Sequence, residues 1–473
     1  MIALQTESNI TLIRMKLPQK PAPWIKQMQG FPKDRVDHII MQVNALAKQD
    51  PYLHWDELRH RPAPDGLSHE EWWLGIKLAR MPKLRSIPLL DKKQHPFQFG
   101  IPDKILAQLH EIDRGLGFTL DTPDGVTAPG GRDQYIISSL IQESITSSQL
   151  EGAATTREVA KELLRTGRQP RDKSERMILN NYVTMKRIRT LRDQQLTPKL
   201  VLELHALVTA DTLDRPDASG RFRLPHEDIR VEDQEGTIFH VPPDSIELPD
   251  RLAAMCDFAN RKTPDFFVHP VVRAIILHFW LGYDHPFVDG NGRTARALFY
   301  WSMLHQGYQL FEFISISQIL LRSRSHYARA FLHTETDDND LTYFILHQIE
   351  VICEAVDALH AYVKHRTEEL RSASQRLRGL GGLNHRQQAL LAHSLREPNT
   401  RYLIEGHRRS HNVAFQTARD DLFGLAEKSL LIVQKEGRVN AFYAPGDLGH
   451  KLEGLAVKKP DANPSADHQF PLD

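Results

Sequence analysis

Hydrophobic spacing along the chain predicts a mostly helical protein. Val36–Ala47 carries apolar residues at helical intervals. Ser68 opens a second helix through Trp72, Trp73, Ile76 and Leu78 to Met81, with Ser68 and Glu71 placed as a capping box. Asp133–Leu150 reads as one amphipathic helix with Ile136, Leu140 and Ile141 on its apolar side, and helical patterning continues through Thr156–Leu191. Thr197-Pro198 combines a cap with proline at the first helical position, starting a helix to about Val208. Helices then dominate from Pro249 to about Arg366. Arg230–Val241, with Gly236 before Thr237-Ile238-Phe239, is the best hairpin candidate. Pro18–Pro23, Arg61–Asp65, Thr122–Gly131 and Asp214–Arg223 carry turn chemistry and are expected as loops.

These patterns divide the chain into a mostly helical N-terminal region (1–120), a further helical region (121–196), a helical core (197–366) and a small domain (383–446). Gly379–Gly382 is a linker. Residues 447–473 form a tail expected to be disordered; its last part, from Lys458, has three prolines and no apolar pattern. No internal repeat is visible.

Composition narrows the class. The 473 residues carry 60 Lys+Arg against 60 Asp+Glu, so the net charge is zero, and 41% of residues are hydrophobic. This excludes a wholly disordered chain, a uniformly basic nucleic-acid coat and a polybasic membrane surface. Two cysteines, Cys256 and Cys353, build no disulfide framework and fit a reducing compartment. Glu7 and Asn9 stand where an export signal needs apolar residues, and Val271–Tyr283, the most apolar stretch, is too short and too polar to span a membrane. A soluble, cytoplasmic protein with no membrane partner is expected.

Candidate chemistry is concentrated in His285-Pro-Phe-Val-Asp-Gly-Asn-Gly-Arg-Thr-Ala-Arg296. Val271–Tyr283 before it reads as a buried helix that Pro286 ends. Gly290-Asn291-Gly292 forms a tight loop whose N–H groups can make an anion nest, and Thr294–His305 is helical again. Arg293 and Arg296, one turn apart at a helix start, oppose the helix dipole by about 0.3–1 kcal/mol each unless an anion lies there. A polyphosphate suits the site. Asp289 could hold Mg²⁺ against it, and His285 could take a proton from an attacking hydroxyl. A dinucleotide fingerprint over Gly290–Ala295 fails because the preceding segment is helical and no β-α-β alternation surrounds it. There is no P-loop, and His69-Glu70-Glu71 lacks the second histidine of a zinc motif.

The same twelve residues resemble the signature of the Fic family (Fic/Doc superfamily), His-Pro-Phe-x-Asp/Glu-Gly-Asn-Gly-Arg-x-x-Arg, at every fixed position. The resemblance extends over about residues 197–350 through His205, Gly220-Arg-Phe-Arg223, the hairpin near Thr237–Val241 and Asn339-Asp-Leu-Thr342. It implies a mainly α fold: a helical Fic core with a short β-hairpin flap, behind a helical N-terminal region. It implies AMP transfer from ATP, with Mg²⁺, to a Ser, Thr or Tyr hydroxyl of a protein, the enzyme itself among the candidates. By position, His285 is the general base and Asp289 the metal ligand. Gly290, Asn291 and Gly292 form the anion hole, with Arg293 on the inner phosphates and Arg296 on the γ-phosphate. The flap residues Thr237, Ile238, Phe239, His240 and Val241 pair with the target as an added strand. Asp284 departs from the family, which usually has an apolar residue there. It is expected to face water rather than raise the pKa of His285.

Ser147-Ser-Gln-Leu-Glu151-Gly152 is similar to the family's inhibitory pattern, in the subclass with an N-terminal inhibitory helix. Ser147, Glu151 and Gly152 are then regulatory, with Glu151 pairing with Arg296 and taking away the γ-phosphate's partner. The same Glu could align water for removal of AMP.

In the small domain, Arg386–Leu395, Tyr402–His407 and a helix capped by Asn412 through Leu425 precede strands Leu430–Val433 and Val439–Tyr443. This resembles a C-terminal winged helix, with Gln416, Thr417 and Arg419 on its recognition helix and Lys435 and Arg438 on its wing. DNA is the partner this implies. Nine basic against six acidic residues, and Asp420 and Asp421 on the helix itself, leave a protein-contact or homodimer module open. Two alternatives to the transferase stand beside it: a DNA-binding regulator whose Fic core senses nucleotide, and transfer of another phosphate-containing group. The zero net charge also conceals a segregation. Residues 156–192 hold eleven basic and four acidic side chains, and residues 228–250, around the flap, one basic and seven acidic. An acidic flap flank is expected to favour a basic target segment.

Overall fold

The computed structural model describes residues 16–48, 50–117, 129–233, 235–379, 382–396, 400–437 and 439–456. The chain divides into two compact units, Met1–Thr119 with Ile137–Asp357, and Leu120–Ile136 with Ala358–Asp473. No helix among the described residues is long and apolar enough to cross a membrane.

The first unit opens with helices α1 (Trp24–Gly30), α2 (Lys33–Lys48), α3 (Trp55–Leu58) and α4 (His69–Arg80). The Ser68–Glu71 capping box is formed in both directions and satisfies two N–H groups that the helix start leaves free. A hairpin follows, β1 (Arg85–Leu90) antiparallel to β2 (Pro96–Phe99). The sequence reading missed it, because Pro88 and the short strands hide the alternation. Next come α5 (Asp103–Gly117) and α6 (Pro129–Leu150). The latter begins four residues before Asp133, at a proline that suits the first helical turn. The rest of the expected 122–131 loop, and the Ile136 side chain, lie outside the described residues. The expected stretch 156–191 is two helices, α7 (Arg157–Thr166) and α8 (Lys173–Thr190), divided at the left-handed Gly167 and restarted by the Asp172 cap.

Helix α9 (Pro198–Thr209) starts at the Thr197 cap. Strands β3 (Val231–Glu232) and β4 (Ile238–His240) form the small antiparallel hairpin. Then follow α10 (Leu248–Ala259), α11 (Pro270–Asp284), α12 (Asn291–His305), α13 (Ile316–Arg322), α14 (Arg324–Thr336) and α15 (Thr342–Gly379). The core is built on α11 and α12, which are buried along nearly their whole length. Phe279, Trp280, Phe299, Trp301 and Met303 are among the enclosed side chains; each contributes about 1.5–3 kcal/mol through burial. A helix buried on all sides shows no polar face, which is why Val271–Tyr283 is the most apolar stretch of the chain although it encloses Arg273 and His278.

The second unit contains α16 (His385–Arg396), β5 (Tyr402–Leu403), α17 (Ile404–His411), α18 (Phe415–Glu427), β6 (Ile432–Glu436), β7 (Val439–Tyr443) and α19 (Leu448–Ala456). Its three antiparallel strands lie in the order β5-β7-β6. Leu391, Leu422, Leu425, Leu430, Phe442 and Leu452 form its core. Tyr402 and Leu403 are a strand rather than the start of a helix, because they pair with Phe442 and Ala441. Asn412 does not cap α18. It ends α17 in the left-handed conformation, a role asparagine shares with glycine. The tail expected from 447 is not disordered at its start: 448–456 is helix α19, held because Leu448 and Leu452 pack into this core; from 457 onward it lies outside the described residues.

Candidate active site

The site is built where α11 ends and α12 begins. Helix α11 stops at Asp284 because His285 takes a left-handed conformation (φ 43°) and Pro286 has no N–H to continue the ladder. His285 Nδ1 lies 3.4 Å from the Gly282 carbonyl. An acceptor there assigns the proton to Nδ1 and leaves Nε2 as the free base nitrogen. Burial, with His240 and Arg223 nearby, holds the ring well below the usual histidine pKa.

The loop returns through Phe287 to Gly290. Asn291 closes it by accepting from the Phe287 N–H (3.0 Å) and donating to the Phe287 carbonyl (2.8 Å). Its side chain is therefore spent on the loop, and only its backbone faces the site as a donor. Gly290 has φ 82°, and a Cβ there would lie 2.6 Å from Thr209 Cγ2. His205 supports the loop from α9. Its Nδ1 accepts from the Gly220 N–H (3.0 Å), its Nε2 donates to the Asp289 carbonyl (2.9 Å), and its ring stacks on Phe287 at 3.7 Å. Only a neutral ring can make both bonds, and burial lowers its pKa to about 4.

Helix α12 starts at Asn291, three residues before the expected Thr294. The nest is thus the helix N-terminus itself, where the first N–H groups lack intrahelical partners. Arg293 and Arg296 are buried behind it. Arg293 donates to the Val208 carbonyl at 3.1 Å and approaches Asp289 only at 3.5 Å. Arg296 donates from Nε to Ser147 Oγ (2.9 Å), and from Nη2 to the Ser147 carbonyl (2.9 Å) and Glu151 Oε1 (2.8 Å). Arg293 Nε and Arg296 Nη1 are buried without an acceptor. Buried guanidinium nitrogens left unpaired are costly, and an oxyanion would satisfy them.

Glu151 ends α6 and sits against α12, so close that a Cβ on Gly292 would overlap its carboxylate. Burial opposes its ionisation, but Arg296 outweighs that and holds its pKa below the usual carboxylate value. The carboxylate occupies the positive end of α12, where a phosphate oxygen would be favoured. Gly152 follows with φ 93°. Glu143 lies two turns back on the same helix face and was not singled out from the sequence. It accepts from Tyr300 (2.9 Å), Ser315 (2.8 Å) and the Ser317 N–H (3.1 Å), and also from the Ser317 hydroxyl. The spacing 143, 147, 151 carried the signal: one face of a helix.

Two further placements differ from what the sequence implies. Asp284 is buried rather than facing water; Arg251 binds it at 2.7 Å and the Trp280 N–H at 3.0 Å. Its charge is neutralised there. Within the flap, Ile238 and Val241 are exposed and Thr237 half-buried, while Phe239 and His240 are buried, so they anchor the hairpin. Asp289 remains half-exposed beside the nest. One such carboxylate fits Mg²⁺, which takes its other ligands from phosphates and water.

The class of protein is thus a helical domain in which a buried helix pair and its connecting loop carry a histidine, a helix N-terminus and two buried arginines. Residues 195–303 match the model of the Fic/DOC family, and the chain carries a Fic/DOC-family domain. The "Protein adenylyltransferase Fic" of Nematostella vectensis is 32% identical over 117 residues, covering 25% of this chain and 25% of that protein. The protein of the same name from Drosophila willistoni is 34% identical over 133 residues, 28% of this chain and 24% of that one. The matched part thus spans about a quarter of these relatives' length. A Fic family protein from Desulfovibrio desulfuricans G20 superposes with a TM-score of 0.48 at 18% identity, covering 73% of this chain and 97% of that one. That likeness is too distant to carry the assignment, which rests on the family match.

Proposed function

We infer that the protein is a protein adenylyltransferase restrained by Glu151. The reading rests on one observation above the others: the buried, unsatisfied nitrogens of Arg293 and Arg296 beside the α12 N-terminus, which follows the loop that His285 opens. In this reading His285 Nε2 takes the proton of a Ser, Thr or Tyr hydroxyl, and that oxygen attacks the α-phosphorus of ATP. The bond from the α-phosphorus to the bridging oxygen breaks, pyrophosphate leaves, and AMP stays on the target. The N–H groups of Gly290, Asn291 and Gly292 and the guanidinium of Arg293 stabilise the charge on the inner phosphates. Arg296 orients the γ-phosphate once Glu151 releases it. Asp289 would hold Mg²⁺, which neutralises charge on the α- and β-phosphates. That the similar proteins are named protein adenylyltransferases supports ATP and a protein target.

Glu151→Gly is expected to raise labelled AMP transfer and His285→Ala to abolish it. Equal labelling of the parent and Glu151→Gly would remove the brake from this account. Intact-mass spectrometry after incubation with ATP or UTP identifies the group: an added AMP mass with ATP alone is expected. If the Glu removes AMP by aligning water, pre-labelled protein loses its label faster with Glu151 present.

One observation favours a second activity in the other unit. We propose that this unit is a winged helix, a reading supported by its helix, strand, two helices and hairpin with the strands in the order β5-β7-β6. Gln416, Arg419 and Lys435 are exposed, while Asp421 is turned inward to Arg386, which removes one of the two charges that weighed against DNA. Arg438 lies outside the described residues. Salt-sensitive binding of duplex DNA that Arg419→Ala weakens is the expected result.

A further inference from the structure

Arg223 donates from its backbone N–H to the Pro286 carbonyl (2.9 Å) and from Nε to the His285 carbonyl (3.0 Å). Its Nη2 donates to the carbonyl of Pro243, just past the flap. His240, on β4, donates from Nε2 to the Tyr283 carbonyl (2.7 Å), and its Nδ1 lies 2.7 Å from Glu335 Oε2. With a carbonyl on one ring nitrogen and a carboxylate on the other, the ring bridges the end of α11 and Glu335 on α14.

A helix ends with carbonyls that have no intrahelical donor, and cations are favoured there. Helix α11 cannot supply donors from the chain that follows, because Pro286 interrupts it. Both missing donors come from residues tied to the flap, and Arg223 brings a positive charge with it. They bind the backbone on either side of His285, which is itself in a left-handed conformation rare for a non-glycine residue.

We propose that Arg223 and His240 are positioning residues that clamp the flap to the base loop, so that the strand receiving the target and the histidine taking its proton move as one body. The proposal rests on the transferase reading above. It assigns the buried Phe239, His240, Pro242 and Pro243 to alignment of His285, and leaves the exposed Glu232, Glu235 and Gly236 to meet the target. Arg223 reaches two carbonyls through separate nitrogens, a bridge that the single ammonium of lysine does not reproduce.

The test uses the full chain carrying Glu151→Gly. Arg223→Ala is expected to lower kcat for AMP transfer by about 100-fold, the scale of an ångström-sized misplacement, with KM for ATP within about twofold. His240→Gln, whose amide reaches the Tyr283 carbonyl, should stay within about threefold of the Glu151→Gly protein, and His240→Ala should lose about tenfold or more. Hydrogen exchange of 236–243 and of 285–290 should rise together in Arg223→Ala and His240→Ala. A kcat unchanged in both alanine variants, or exchange rising in the flap alone, overturns the clamp. If Arg223→Ala fails to fold, the His240 pair decides: equal losses in the Gln and Ala variants count against the clamp. If the Glu151→Gly protein transfers no AMP, the transferase reading fails by itself and the exchange data still judge the clamp.

Discussion

The first unit buries two clusters of opposite charge, and they are finished differently. At the junction of the N-terminal helices with the loop before α15, Lys77 binds Asp337 (2.7 Å) and Asp338 (3.1 Å), and Tyr343 donates to Asp337 (2.8 Å). Arg80 donates to both oxygens of Asp50, to the Tyr343 hydroxyl and to the Leu53 carbonyl. Every guanidinium nitrogen there has an acceptor. At the mouth of α12, Arg293 and Arg296 are equally enclosed, yet each keeps a nitrogen without one. Burial of a charged pair does not by itself mark a ligand site. An unpaired nitrogen alone, as at Arg273 Nε, does not either; at α12 the unpaired donors coincide with a helix N-terminus, and a desolvated donor without an acceptor costs about 1–3 kcal/mol unless a ligand restores its bond.

The contrast is open to a direct break. Lys77→Met leaves the Asp337 carboxylate buried and short of its cation, and should cost about 3–5 kcal/mol in urea unfolding. ATP should not recover that loss. Recovery by ATP would mean the junction belongs to the nucleotide site. Both regions also enclose a neutral histidine, His54 at the junction and His205 at the site, each lowered to about 4 by burial. Below pH 6.5 the unfolded chain takes up protons that these folded rings refuse, so stability falls as pH drops toward 4. Each ring accounts for up to about 3 kcal/mol over that window. The regions separate in a second measurement. ATP affinity should fall with His205→Phe, which frees the Asp289 loop, and hold with His54→Phe.

What the sequence disclosed follows the same division. The helix starts at Ser68 and Thr197 and the loop at His285–Gly292 were legible because local chemistry dictates them: caps, a proline, glycines. The pairing partners of buried charges were not, because Lys77 and Asp337 lie 260 positions apart and no spacing links them. Glu151 was found through a six-residue resemblance, whereas Glu143, on the same helix face, was passed over for want of a motif. Asp284 was misplaced for the same reason: its partner Arg251 is 33 residues away, on α10. The 85–99 hairpin escaped because Pro88 and four-residue β2 break the two-residue period.

A smaller effect sharpens the site half of the comparison. Glu151→Gly empties the place of one carboxylate and leaves Arg296 with Ser147 alone. If that place belongs to a phosphate, added ATP should stabilise this variant more than the parent. At a hundredfold excess over Kd the gain is about 2.7 kcal/mol, read as a rise in Tm. An equal ATP shift in both proteins would mean Glu151 does not compete with the nucleotide.

Ser147→Ala should move least and discriminates most finely. Arg296 loses the hydroxyl on Nε but keeps the Ser147 carbonyl and Glu151 on Nη2. The lost hydrogen bond to a charged group is worth about 1.5 kcal/mol, so the pairing loosens without breaking. If the serine holds Arg296 in the grip of Glu151, transfer should rise by about fivefold or more, below the level of Glu151→Gly, and the double variant should match Glu151→Gly alone. If the serine instead orients Arg296 for the γ-phosphate, the double variant should fall below Glu151→Gly. The two outcomes have opposite signs in one assay, so the direction alone decides whether the hydroxyl serves the restraint or the reaction.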